Sequence, residues 1–166
     1  MREILFRGKR LDNGEWIEGN FYESGIIGVF ILQGKTRKTI DAKTGEITLY
    51  DEAIPFEVRP STVGQYTGLK DKNGKRIFEG DIIRMNQNEN DISVVEFGKF
   101  GCVCTEDESI TDFVHGWYYR PLPTDALSRC EPFCWPFQLN EMCIKYDGIE
   151  VIGNIRDNPE LLDERV

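Results

Sequence analysis

Hydrophobic and polar positions alternate along much of this chain in short runs cut by glycine, which predicts strands and hairpins rather than helices. Ile4 to Tyr22 reads as two arms around Asp12-Asn13-Gly14, and Thr62 to Met85 as two arms around Asp71-Lys72-Asn73-Gly74. Asn-Gly between strand-forming runs is a strong hairpin signal, because both central residues accept positive φ. In the second arm, Gly80-Asp81 interrupts the pattern before Ile82-Ile83 and predicts a bulge or sharp bend. The two hairpins share a grammar: Phe6-Arg7-Gly8 parallels Tyr66-Thr67-Gly68, Asn13-Gly14 parallels Asn73-Gly74, and Glu18-Gly19-Asn20-Phe21 parallels Glu79-Gly80-Asp81-Ile82. Either a duplicated element or convergent turn chemistry accounts for this.

Between these hairpins, the continuous apolar run from Gly25 to Gln33 predicts a buried strand. The polar, basic stretch from Gly34 to Asp41 reads as a hairpin turn with exposed charge. Its Gly-Lys-Thr has Val29 where a phosphate-binding loop requires glycine. Ala42 to Gly45 is a further turn. Pro55 places the strand Ile54 to Val58 at an edge or a bend. After a polar loop at Asn86 to Asp91, Ile92 to Phe97 predicts a strand, Gly98 to Gly101 a turn, and Cys102 to Thr105 another strand. Residues 105–145 hold Pro121, Pro123, Pro132 and Pro136 and read as an elaborated loop with one helical turn near Thr124 to Arg129. Ile149 to Ile155 is a strand. Asn158-Pro159 fits the cap and first position of a short terminal helix carrying Leu161 and Leu162.

Length changes this picture little: 166 residues suit one domain, or two small β modules of about 1–60 and 61–166. No apolar run approaches the ~20 residues of a membrane span, and no signal-peptide core follows Met1, so a cytoplasmic protein is expected. Charge changes it more. Residues 1–85 carry 14 basic against 13 acidic side chains, and residues 86–166 carry 6 against 16, giving +1 and −10, which sum to −9. The acidic half opposes non-specific binding to a phosphate backbone. It reads as a solvated acidic surface or as a docking face for a basic partner.

Candidate chemistry is sparse. Cys102, Cys104, Cys130, Cys134 and Cys143 lack paired zinc spacing and read as small buried apolar residues, although with His115 they include enough donors for a tetrahedral site. No metal or cofactor is expected. His115 is the single histidine, and no serine or cysteine is aligned with it by pattern. Glu79 and Asp81 flank Gly80, which predicts turn and backbone hydrogen bonding rather than a paired-carboxylate site. Trp117, Tyr118, Tyr119 and Trp135, with Phe133 and Phe137, are too aromatic for a solvated loop, and cover the core or form an interaction surface. Tyr66, Lys70, Lys72, Lys75, Arg76 and Arg84 are the best local case for nucleic acid, since small barrels flank aromatic platforms with basic residues.

The central stretch TVGQYTGLKDKNGKRIFEGDII resembles the signature of the YopX family of small phage and prophage proteins, and Ile4 to Tyr22 and Glu150 to Leu162 resemble the same family in the same order. The resemblance implies a mainly β fold of small SH3-like barrel or roll modules and a phage or mobile-element origin. It implies no reaction and no catalytic residues. The expectation is a non-enzymatic accessory protein acting through contacts with a host or phage protein or with a second copy of itself. A nucleic-acid-binding barrel is the alternative.

Overall fold

The computed structural model describes residues 3–103, 110–125, 128–130 and 134–162. The fold is mainly β, with antiparallel sheets and one short α-helix. The chain divides into two compact units, Met1–Gln65 and Tyr66–Val166.

In the first unit, β1 (Phe6–Lys9) and β2 (Trp16–Ser24) form the N-terminal hairpin, with Gly14 at φ 74° in its turn. β3 (Gly28–Ile40) and β4 (Ile47–Glu57) form a second, longer hairpin, and β4 is the edge strand. On the other side of β1, the first residues of β5 (Gly64–Lys70) pair with Phe6 and Arg7. The core holds Ile17, Val29, Ile31 and Val58. Thr62, in a 3₁₀ turn at Pro60–Thr62, accepts from the Lys9 N–H at 2.8 Å and donates to the Arg59 carbonyl at 2.7 Å.

Two expectations for this unit are corrected. Gly25 to Gln33 is not one buried strand: residues 25–27 turn, Ile26 is 95% exposed, and only alternate residues of β3 are buried, Ile31 completely. The reason is that β3 begins only at Gly28 (φ 109°), where period-2 packing replaces the apolar run. Nor is Gly34 to Asp41 a turn. It continues β3 as far as Ile40, and the reversal lies at residues 41–46, where the Asp41 N–H donates to the Glu46 carbonyl and Gly45 N–H to the Asp41 carbonyl, both at 2.9 Å. The N-terminal hairpin closes with the same two bonds, Arg10 N–H to Glu15 carbonyl and Gly14 N–H to Arg10 carbonyl. A turn outside the apparent duplication shares this geometry, which favours convergent turn chemistry.

In the second unit, β6 (Arg76–Phe78) pairs with the later part of β5, while β7 (Asp81–Arg84) joins a five-stranded sheet of order β10-β9-β8-β7-β11. Gly80, at φ 77°, is therefore where the return arm leaves one sheet for another. β8 (Ile92–Val103) and β9 (Ile110–Pro121) form a long hairpin, with β10 (Phe137–Gln138) and β11 (Glu150–Asn154) at the two edges. Strands β7 and β8 bury both faces: Ile83 and Val95 lie in one cluster with Ile77, Trp117 and Ile149, and Ile82 and Val94 in another with Ile92 and Leu122.

Here too the expectations shift. The glycines of Gly98 to Gly101 do not turn the chain. They lie within β8, where a Cβ on Gly101 would come within 2.8 Å of Ile110 across the ladder. The elaborated loop is in its first part β9, whose alternation of Trp117 and Tyr119 with Tyr118 and Arg120 is that of a half-buried strand. The α-helix, α1 (Glu141–Tyr146), is capped by Asn140, whose side chain accepts from the Cys143 N–H at 3.1 Å. The helical turn anticipated at Thr124 to Arg129 lies partly outside the described residues, and the Thr124 hydroxyl donates to the Asn90 carbonyl instead of capping. The terminal helix is a 3₁₀ turn, Pro159–Leu161, with Pro159 at its first position. Among the described residues no helix is long and apolar enough to cross a membrane.

Candidate functional site

The basic set around the central hairpin separates in space. Lys72, Lys75 and Arg84 converge on β11: Lys72 Nζ lies 2.7 Å and Arg84 Nη2 3.3 Å from the Glu150 carboxylate, and Lys75 Nζ is 3.5 Å from the Val151 carbonyl. Lys72 and then Arg84 hold the Glu150 carboxyl below the usual carboxylate range. Tyr66 is only 4% exposed, packed 5.4 Å from Phe78 with Arg76 over its ring, so it offers no open face for stacking a base. Lys70 is exposed and pairs in register with Arg76.

The aromatic set also divides. Trp117 and Tyr119 are buried, Trp117 edge-on to Phe97 at 4.9 Å. Tyr118 faces the other side of β9 and donates to Glu96 at 2.7 Å, with burial and that bond pushing its hydroxyl up to about 12. Trp135 is half-buried, and Phe133 lies outside the described residues.

The segments that carry the family resemblance hold most of the buried polar side chains: Thr62, Thr67, Asp71, Asp81 and Asn154. Each serves the backbone. Asp71 Oδ1 accepts from the N–H groups of Asn73 and Lys75 at 2.8 and 2.9 Å, and its Oδ2 accepts from Val151 at 3.0 Å. Asp81 Oδ2 accepts from Phe78 N–H at 2.8 Å, while Glu79 is exposed. Asn154 Oδ1 accepts from Arg156 and Asp157. The buried polar side chains of these motifs organise turns. Among the described residues no group of three His, Cys, Asp or Glu is placed to hold a metal ion, and Cys104 and Ser109 fall outside them. His115 is exposed on β9, opposite Lys99.

Two features escaped the sequence reading. The first is the β3–β4 arm, whose residues 33–53 are all exposed. Ile40 pairs with Ile47, and Leu49 shares their face, so three large apolar side chains stand in water at its tip. The second is a cavity of about 270 Å³ in the second unit. Asp91, Asp125 and Asp147 line it, together with the buried Ile92, Tyr119 and Leu122. Burial, then Asp147, then Asp125, push the Asp91 carboxyl up. The sequence signal for the arm was polarity: Gln33 to Thr39 holds no large apolar residue, as suits a strand with both faces in water. For the cavity there was none, since its carboxylates come from three separate loops.

Among solved structures, the crystal structure of protein EF1440 from Enterococcus faecalis is similar, at 22% identity and a TM-score of 0.48 over 98% of this chain and 100% of that one. No curated protein matches the sequence. The family described as YopX protein matches residues 5–121, while the segment Glu150 to Leu162 lies beyond that match. The match takes in more than half of the chain, and the chain belongs to the YopX family.

Proposed function

We propose that this chain is a non-enzymatic, phage-encoded accessory protein that acts through protein–protein contacts, with the β3–β4 arm as its contact element. The observation that carries this reading is the exposure of every residue from 33 to 53 on an ordered two-stranded hairpin. A hairpin with both faces in water is marginally stable alone. Its outer strand, β4, is a sheet edge with open backbone donors and acceptors, the usual template for adding a strand from another chain. The apolar tip formed by Ile40, Ile47 and Leu49 gives such a strand a surface to bury. The partner is another protein or a second copy of this chain.

The test compares the intact protein with the Ile47→Lys, Leu49→Lys double variant. Both are used for sedimentation velocity and for co-purification from phage-infected host lysate, with and without nuclease. Self-association, or a stoichiometric protein that resists nuclease, is expected for the intact chain and lost in the variant, whose thermal midpoint is unchanged. A monomer that retains only nucleic acid, and loses it when Lys72, Lys75 and Arg76 are substituted, would overturn the reading in favour of a nucleic-acid-binding barrel. A monomer that retains nothing would overturn it outright.

A further inference from the structure

The cavity in the second unit shares no residue with the arm, and its chemistry is independent of the arm's role. Its wall is apolar and aromatic: Ile92, Tyr119 and Leu122 are buried there, and Phe137, half open to solvent, stacks on Tyr119 at 5.8 Å with an interplanar angle of 26°. Its polar side holds Asn86, Asn88, Asn90 and Ser128 together with three carboxylates. Asp91, from the loop before β8, Asp125, after β9, and Asp147, at the end of α1, all line the same space. Among the described residues that line it there is no lysine or arginine. Asp125 Oδ1 is engaged by the Ser128 N–H at 2.8 Å. Burial first, and then the like charges of Asp147 and Asp125, disfavour the ionised form of Asp91. The cavity thus gathers three carboxylates beside an apolar wall, and a positive charge inside it would be attracted to all three.

The kind of cation is set by the remaining walls. Among the described residues these carboxylates are not grouped closely enough to share a metal ion. A compact, strongly hydrated ion would also gain nothing from Tyr119, Leu122 and Phe137. An elongated cation gains from both sides, because its stem buries against the apolar wall while its head meets the carboxylates and the ring faces. We propose that this cavity binds an alkyl-ammonium or alkyl-guanidinium group, whether the side chain of a lysine or arginine in a partner peptide or a free polyamine.

The proposal is tested on the full chain by amide chemical-shift titration with four probes: acetyl-Gly-Arg-Gly-amide, acetyl-Gly-Lys-Gly-amide, spermidine and magnesium chloride. Acetyl-Gly-citrulline-Gly-amide serves as the neutral isostere of the arginine peptide. Saturable shifts centred on Asn86, Asp91, Tyr119 and Asp147 are expected with at least one organic cation and not with citrulline. The Asp91→Asn, Asp147→Asn double variant should weaken that binding by about tenfold or more. Phe137→Leu, which leaves all three carboxylates in place, should also weaken it, separating a shaped site from diffuse attraction to an acidic surface. A peptide that binds more tightly than spermidine identifies a protein ligand, and the reverse identifies a free polyamine. Equal shifts with citrulline, equal saturable shifts with magnesium, unsaturated shifts spread over the whole unit, or no shifts at millimolar probe would each overturn it.

Discussion

Asp71 shows how one side chain holds together parts of the chain far apart in sequence. Buried to 5% exposure, it accepts two N–H groups of its own turn and a third from Val151 on β11. Asp71→Ala leaves those donors without a carboxylate in a water-poor site, and should cost about 3 kcal/mol in urea unfolding. Asp71→Asn keeps one acceptor oxygen but replaces the other by a donor facing the Val151 N–H, and should fall between wild type and alanine. The turn was legible in Asp71-Lys72-Asn73-Gly74, since turn chemistry is local. The bond to Val151 was not, because nothing in a sequence marks which distant N–H a carboxylate oxygen will meet. The same limit applies to Tyr66: its aromatic and basic neighbours read as a platform, whereas contact with Phe78 buries the ring.

At the scale of elements, the turns at Gly14, Gly45 and Gly74 and the break at Gly80 were readable, while strand lengths were not, and the turns expected at Gly34 to Asp41 and Gly98 to Gly101 do not form. Glycine marks a turn only where the chain needs positive φ. Gly14, Gly45, Gly74 and Gly80 have it, but Gly98 and Gly101 sit in extended β8. A local pattern cannot separate the two uses, and so one long hairpin read as several short strands. Gly80 permits a specific check. At φ 77°, and with Ile155 3.3 Å from the position of an added Cβ, Gly80→Ala should destabilise the protein by about 1–2 kcal/mol in thermal or denaturant unfolding. Gly14→Ala, at φ 74° but with nothing within 4 Å, carries only the conformational part of that cost and should be milder.

For the whole molecule, the distribution of charge bears on the choice between the two broad functional classes. The excess of acid after residue 85 opposes phosphate, and within the central hairpin Lys72 and Arg84 are already engaged by Glu150. The intact chain should therefore show only weak retention of labelled RNA or single-stranded DNA in filter binding at physiological salt. Glu150→Gln provides the sharper measurement. If Lys72 and Arg84 serve structure, the variant is less stable and binds no better, whereas a phosphate site would tighten. The stability lost has a defined pH signature. The folded pKa of Glu150 is lowered, so its contribution is complete above the ordinary carboxylate range and disappears as pH falls through the lowered value. Wild type and Glu150→Gln should converge in acid.

The pairing of β11 with β7 also bears on how the chain is made. β7 lies at residues 81–84 and its edge partner at 150–154, so the second unit's sheet keeps one raw edge throughout synthesis of the intervening residues. The hairpins, by contrast, close between neighbours as each leaves the ribosome. A nascent chain stopped before Glu150 would carry a folded hairpin repertoire, an Asp71 oxygen with no Val151 to receive, and an exposed β7 ready to pair with any passing strand. Pairing of β11 is thus the step that covers the β7 edge and gives the Asp71 carboxylate its third donor.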